Sequence, residues 1–302
     1  MSSPVSGRDP GKPRVPVFHI LLGLLYTLSL LAVAFLLASG GSFYATPLSE
    51  RAHHPGYWTW KAGGSAGQLL GVVGASMMTV LLLYSVRKRV RLFRRLGALS
   101  RWLDLHIYLG VVGPLLIVLH TGFKVGGLVA LSFWSMVAVA LSGVVGRFLY
   151  LQIPRTRAGE ELSLTEVRTL DDSLSERLRR DFRLSEAALL RLNGLSAPPE
   201  AERRGLRRGL FGLLFGNREL RRDLRAFAQE CRTVPKGVFQ EFERIALQKA
   251  LLHRRILLWD RLHELFHYWH VFHKPFAVVM YLFMIVHIAV AVMTGYGWAG
   301  RG

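Results

Sequence analysis

Five stretches of this chain are each about as long as a bilayer's hydrocarbon layer is thick and nearly free of charge. They are residues 17–39, 66–86, 102–121, 127–151 and 273–295. A helix rises 1.5 Å per residue, so about 20 apolar residues cross a layer of about 30 Å. Inside that layer backbone N–H and C=O groups have no water to bond, so each stretch has to satisfy its own, and helix is the form that does so. The sequence therefore predicts an all-α fold: an integral membrane bundle of five transmembrane helices.

The first stretch, VFHILLGLLYTLSLLAVAFLLAS, is longer than the apolar core of a secretory signal and is not followed by a clear small-residue cleavage site, so it reads as an uncleaved span. Residues 1–16 carry four prolines and read as a mobile N-terminal tail. His19, at the start of the first span, reads as an interfacial histidine. Residues 40–65 hold Tyr57, Trp58 and Trp60, which fit an interfacial aromatic belt, and the adjacent His53 and His54. In the second span Gly67, Gly71 and Gly74 recur at helical spacing, a stripe suited to close approach by a helix or a cofactor. Pro114 should kink the third span.

The formal charge is +19 with 20% charged residues, a balance that nucleic-acid binders share. Its distribution decides against nucleic acid. The segment RKRVRLFRRLGALSR at 87–101 has no acid and is wedged between two apolar spans, where excess Lys and Arg marks the cytoplasmic side. The N-terminus is then cytoplasmic, and spans three and five run parallel, both starting from the inner side. The expected location is a bacterial inner membrane, with the lipid bilayer as the chain's largest partner.

Residues 152–272 are of another kind, with acids and bases interspersed and leucines at helical intervals. Ser163 and Glu166 read as a capping box, and RRGLRRGLFGLLFG at 203–216 suits a helix lying on the membrane surface. No GxGxxG after a strand and no Walker loop is found. The organisation expected is a tail at 1–16, four spans within 17–151, a large helical cytoplasmic insertion at 152–272, and the fifth span with a short C-terminus at 273–302. The single cysteine, Cys231, excludes an intrachain disulfide framework and any CxxCH attachment site.

Histidines carry the chemistry. His106 and His120 lie fourteen residues apart on the third span, and His273 and His287 fourteen apart on the fifth. Fourteen residues fall within about 40° of four whole turns and span about 21 Å. Each pair therefore shares a helix face, with one imidazole near each edge of the apolar layer. With parallel spans, His106 and His273 come to the inner depth, and His120 and His287 to the outer. Two neutral imidazoles from facing helices at each level are what bis-histidine ligation of two b-type haems requires. Polar groups in spans are costly and mark function. Gly110 and Gly113, with Gly143 and Gly146 on the fourth span, read as room for flat rings. Arg147, Arg155 and Lys274 at inner depth, and Lys124 just beyond His120, are candidate partners for cofactor propionates.

This pattern, two histidines on the third span and two on the fifth, resembles the transmembrane domain of ferric reductases and NADPH oxidases. It is similar in principle to the ascorbate-dependent transmembrane cytochromes b. HTGF at 120–123 and GRFLYLQIPR at 146–155 look like bacterial relatives of that domain. The resemblance covers spans two to five and not the insertion. It implies electron transfer across the cytoplasmic membrane through two haems held by His106, His120, His273 and His287. Such reductases continue into FAD- and NADPH-binding domains, whereas this sequence ends at Gly302, so a separate donor (a reductase protein or a quinol) and a separate acceptor are expected.

Two other readings stand beside this one. A quinol-oxidising cytochrome b anchor subunit of a larger redox complex would use the same ligands. A membrane zinc protease would use His263, Glu264 and His267, which spell HExxH, with His273 where a third ligand could stand; the glycine turn that would swing it round is replaced by His270. His270 also competes with His273 as inner ligand, but lies about 100° from the His287 face.

Overall fold

The computed structural model describes residues 17–90, 93, 95–155, 161–197, 220–227 and 239–295. The N-terminal tail, the 203–216 segment and Cys231 lie outside the described residues. In order, the elements are α1 (Val17–Ser39), α2 (Gly41–Ala45), a 3-10 turn (Arg51–His53), α3 (Tyr57–Trp60), α4 (Ser65–Val80), α5 (Leu82–Arg89), α6 (Leu99–His120), α7 (Val129–Gln152), α8 (Leu164–Phe182), α9 (Glu186–Ser196), α10 (220–227), α11 (Phe239–Leu257) and α12 (Trp259–Met293). No β-strand forms among the described residues, only one isolated bridge from Arg155 to Glu161. Five segments are long and apolar enough to cross a membrane: α1, the run Tyr57–Arg89, α6, α7 and α12. Large apolar side chains such as Leu28, Phe35, Trp134 and Ile285 stand exposed on them. An apolar surface of this extent is matched by lipid tails rather than by water. The protein is thus an all-α helical membrane bundle.

The chain divides into two compact units, residues 1–140 with 277–302, and residues 141–276. In the first, α4 and α6 pack along their length in opposite directions. The glycine stripe of α4 explains their closeness. A Cβ at Gly71 would lie 2.6 Å from the His120 ring, and one at Gly74 would lie 2.8 Å from Ile117. On the other helix, a Cβ at Gly113 would meet the Met78 sulfur at 3.2 Å. Gly113 is therefore a helix-packing residue, not the space for a flat ring that its position between two histidines suggests. The helix runs unbroken through Pro114. Around this seam Leu70, Met78, Tyr108, Val112, Leu116, Met136 and Met280 form the unit's buried core.

The loop after α1 folds back on the end of α6 as a cap. Phe43 is buried there, and Tyr44 makes edge contacts with Trp60 and Phe123. Buried Arg51 holds the cap closed: Nε donates to Thr46 O at 2.8 Å, Nη2 to Tyr44 O at 2.7 Å, and Nη1 to Gly122 O. Gly122 and Phe123 both have positive φ, 56° and 60°, which turns the chain sharply after His120. Of the three aromatics read as an interfacial belt, Trp58 is 73% exposed, while Tyr57 and Trp60 are partly buried.

The second unit has a core of its own. Leu178, Phe182, Leu192, Leu220, Leu224, Phe227, Phe242, Ile245 and Ala250 join α8, α9, α10 and α11. The capping box at the start of α8 is present: Ser163 N donates to Glu166 Oε2 at 2.7 Å and Glu166 N to Ser163 Oγ at 3.3 Å. Hydrogen bonding from Ser163 holds the Glu166 carboxyl below its ordinary value. Across α8 and α11, Lys249 Nζ donates to Asp171 Oδ2 at 2.6 Å, with the lysine side chain 1% exposed and His253 Nδ1 3.4 Å from the same oxygen. Burial pushes the Asp171 carboxyl up, but hydrogen bonds from His253 and Lys249 and their charges overcome it and leave the carboxyl below its usual range.

The last helix begins at Trp259, fourteen residues before the apolar run that predicts it. Backbone hydrogen bonding is indifferent to where side chains turn polar, so a helix continues past the edge of its apolar stretch. Pro275 lies inside it without ending it.

Candidate functional site

His120 and His287 come together in the first unit. Their ring centres are 6.4 Å apart and their planes inclined at 59°. His120 sits at the C-terminal end of α6, in the notch above Gly71. Its Nδ1 lies 2.8 Å from Gly67 O. A carbonyl only accepts, so Nδ1 carries the proton and Nε2 presents a lone pair. On α12, Tyr281 Oη donates at 2.6 Å to Met78 O of α4, and Met78 also faces Gly113 of α6; His287 lies six residues, about one and two-thirds turns, further on, at the level of His120. The two helices are parallel here.

His106 repeats the arrangement at the other end of α6. Its Nδ1 is 3.3 Å from Leu81 O, at the junction of α4 and α5, and Tyr84 lies beside its ring at 5.0 Å. Gly67 and Leu81, whose carbonyls accept these contacts, are themselves fourteen residues apart, matching His106 and His120 in the reverse direction. The run from α4 to its junction with α5 thus sets the tautomer of both histidines on α6.

His273 belongs to the second unit. Its Nδ1 is 2.7 Å from Ser142 Oγ on α7. Trp269 packs against its ring at 4.9 Å, and Trp269 Nε1 donates to Ser142 O at 2.8 Å. The indole fills the notch at Gly146, where a Cβ would lie 2.3 Å from it. Gly146 therefore makes room for Trp269, not for a cofactor ring, and Gly143 has open space beside it.

The remaining histidines of the last helix differ in kind. His263 Nδ1 bonds Trp259 O and His270 Nδ1 bonds Phe266 O, both at 2.8 Å and both to their own helix four residues back. His106, His120 and His273 are held instead by a different helix. Metal-binding histidines characteristically have the second nitrogen fixed by a carboxylate, a backbone carbonyl or water, which His270 also meets through Phe266 O; His273 differs from it in the helix that supplies the partner.

The HExxH segment has no zinc-site geometry. His263 Nε2 lies 2.6 Å from Glu161 Oε1, and Glu264 pairs with Arg261. Both ring nitrogens of His263 thus lie against oxygens of the chain, Trp259 O and Glu161 Oε1. His273 lies ten residues on along a continuous helix, about 15 Å away. Among the described residues no group of three or more His, Cys, Asp or Glu gathers to hold a metal ion.

Of the proposed propionate partners, the Arg147 guanidinium lies over Tyr150 at 5.7 Å, with Arg155 over the same ring at 4.1 Å and paired with Glu161. Lys124 and Lys274 are exposed, Lys124 in the turn that follows His120. His19 pairs with Asp104 at 3.8 Å, and His54 Nδ1 accepts from Gly56 N. Sequence reasoning missed Ser142, Trp269 and Arg51. The spacing of Ser142 and Gly146, small residues four apart on one face of a span, was the available signal for the first two; nothing in the local sequence marks Arg51.

Comparison with protein families, with curated proteins and with solved structures gives no match to this chain.

Proposed function

We propose that this protein is a membrane b-type cytochrome that holds two haems and carries electrons across a bacterial cytoplasmic membrane, with its N-terminus on the cytoplasmic side. The observation that carries the reading is the His120–His287 pair. With metal–nitrogen bonds of about 2.0 Å and about 1.1 Å more from each nitrogen to its ring centre, two imidazoles sharing one iron have centres about 6.2 Å apart. The separation found is 6.4 Å. The donor set, two imidazoles from facing helices among apolar side chains, suits a bis-histidine haem.

His120 and His287 would hold the outer haem. His106 and His273, each fourteen residues from one member of that pair, are the proposed ligands of the inner haem by sequence spacing alone, and each has Nδ1 engaged outside its own helix. When bound, haem supplies one-electron chemistry; the chain's own residues supply ligation, tautomer and a low-dielectric setting. Gly67 O and Leu81 O keep the Nε2 lone pairs available. Arg147 and Lys124 are the candidate propionate partners. The electron donor is a separate reductase protein or a quinol, and the acceptor is likewise separate.

The test is the reduced-minus-oxidised spectrum of the purified protein with haem quantification. Two haems per chain with sharp low-spin bands are expected. A folded, haem-free protein overturns the reading. His120→Ala is expected to leave one haem per chain, and retention of both would overturn the pairing.

A further inference from the structure

We infer that Ser142, backed by Trp269 in the Gly146 notch, is a positioning residue that sets the electronic character of His273 and of the inner redox centre alone. The inference rests on the haem reading above. It draws on three contacts made within one unit. Ser142 Oγ meets His273 Nδ1 at 2.7 Å, Trp269 Nε1 donates to Ser142 O at 2.8 Å, and the indole covers the His273 ring at 4.9 Å and 36°. The third contact exists because residue 146 has no side chain: a Cβ there would lie 2.3 Å from the indole.

The chemistry follows from the partner's type. An Nδ1–H that donates to an oxygen gives its proton partial freedom, and the ring becomes a stronger donor at Nε2. A stronger donor favours the ferric state. At His106 and His120 the accepting oxygen is a backbone carbonyl, which no side-chain substitution removes. At His273 it is a hydroxyl, so this is the one span histidine of the three whose basicity is set by a replaceable side chain. The indole fixes the ring plane, and with it the angle of the imidazole about the Nε2 axis. A hydroxyl can donate as well as accept, so it is iron at Nε2 that would leave the ring's one proton on Nδ1 for Ser142 Oγ to accept, while the indole fixes the ring plane.

The experiment is a potentiometric titration of the purified, haem-loaded full chain, read by optical bands and by low-temperature electron paramagnetic resonance of the ferric state. Ser142→Ala is expected to raise the midpoint of one of two waves, changing its oxidised-to-reduced ratio by up to about tenfold, which is about 59 mV for one electron. It is also expected to move one low-spin ferric signal while the other stays. Ser142→Thr, which keeps the hydroxyl, is expected to restore both readouts. Trp269→Phe keeps a ring and removes the Nε1–H, so it is expected to move the same signal by less, and it serves as the test should Ser142→Ala fail to fold. Two haems with both waves and both signals unmoved in Ser142→Ala, or in Trp269→Phe in its place, would overturn this inference and leave the haem reading standing. Movement of both waves would overturn the assignment to one centre. Absence of haem from the wild-type protein would overturn the reading beneath it.

Discussion

Gly71 stands so close to His120 that a Cβ on it would lie 2.6 Å from the imidazole Nδ1. The glycine therefore does more than let α4 approach α6. It is the seat of a histidine ring whose Nδ1 bonds the Gly67 carbonyl four residues earlier on the same helix.

Gly71→Ala is accordingly expected to displace the His120 ring and break its bond to Gly67. Overpacking of this kind destabilises by about 1–3 kcal/mol. The expected readout is a fall from two haems per chain to one, with a lower melting temperature in detergent. Gly143→Ala, where nothing lies within 4 Å, is the control and is expected to change neither.

The cap over the His120 end depends on one buried cation. Arg51 serves three carbonyls, at Thr46, Tyr44 and Gly122, and replacing it leaves them without that donor in a closed space. Arg51→Met is expected to destabilise the protein by on the order of 3 kcal/mol. Limited proteolysis should then cut within residues 46–56 at protease concentrations that leave the wild type intact.

The Asp171–Lys249 pair ties α8 to α11 and makes the second unit sensitive to acid. The folded-state carboxyl lies below its unfolded value, so the stability it contributes is complete above about pH 4 and is lost as the pH falls through the lowered value. Asp171→Asn is expected to flatten the unfolding profile in that acid window. Breaking a buried pair from one side costs about 3–5 kcal/mol, so Lys249→Met is expected to be severe and the double variant with Asp171→Asn milder than the sum of the two. Thermal unfolding of the four proteins at pH 7 measures the coupling.

Glu264 is the residue a zinc protease could not lose. Here it forms a partly exposed pair with Arg261, worth about 0–1 kcal/mol. Glu264→Gln is expected to leave haem content and melting temperature unchanged, and elemental analysis is expected to find no stoichiometric zinc in either protein.

The capping box at Ser163 and Glu166 was legible because both halves lie within four residues. The start of α12 was not: composition changes at His273, but the helix begins at Trp259, where hydrogen bonding and the packing of Leu258 and Leu262 on Phe148 carry it. The glycines were legible as small positions and not as to what fills them. Gly113 accommodates Met78 and Gly146 accommodates Trp269, since a missing side chain does not say which neighbour takes its place.

By itself the sequence determined the five spans, the all-α class and the two fourteen-residue histidine pairs. These are properties of length, polarity and helical period, which act along the chain. Only the tertiary structure decided what touches each imidazole. The oxygens that fix His106 and His120 are the backbone carbonyls of Leu81 and Gly67, a group that every residue carries and no residue type announces. The hydroxyl at His273 comes from a serine 131 positions away. Which nitrogen of a histidine holds the proton depends on such non-local partners, so the ligand candidates could be read from spacing while their tautomers required the packed helices.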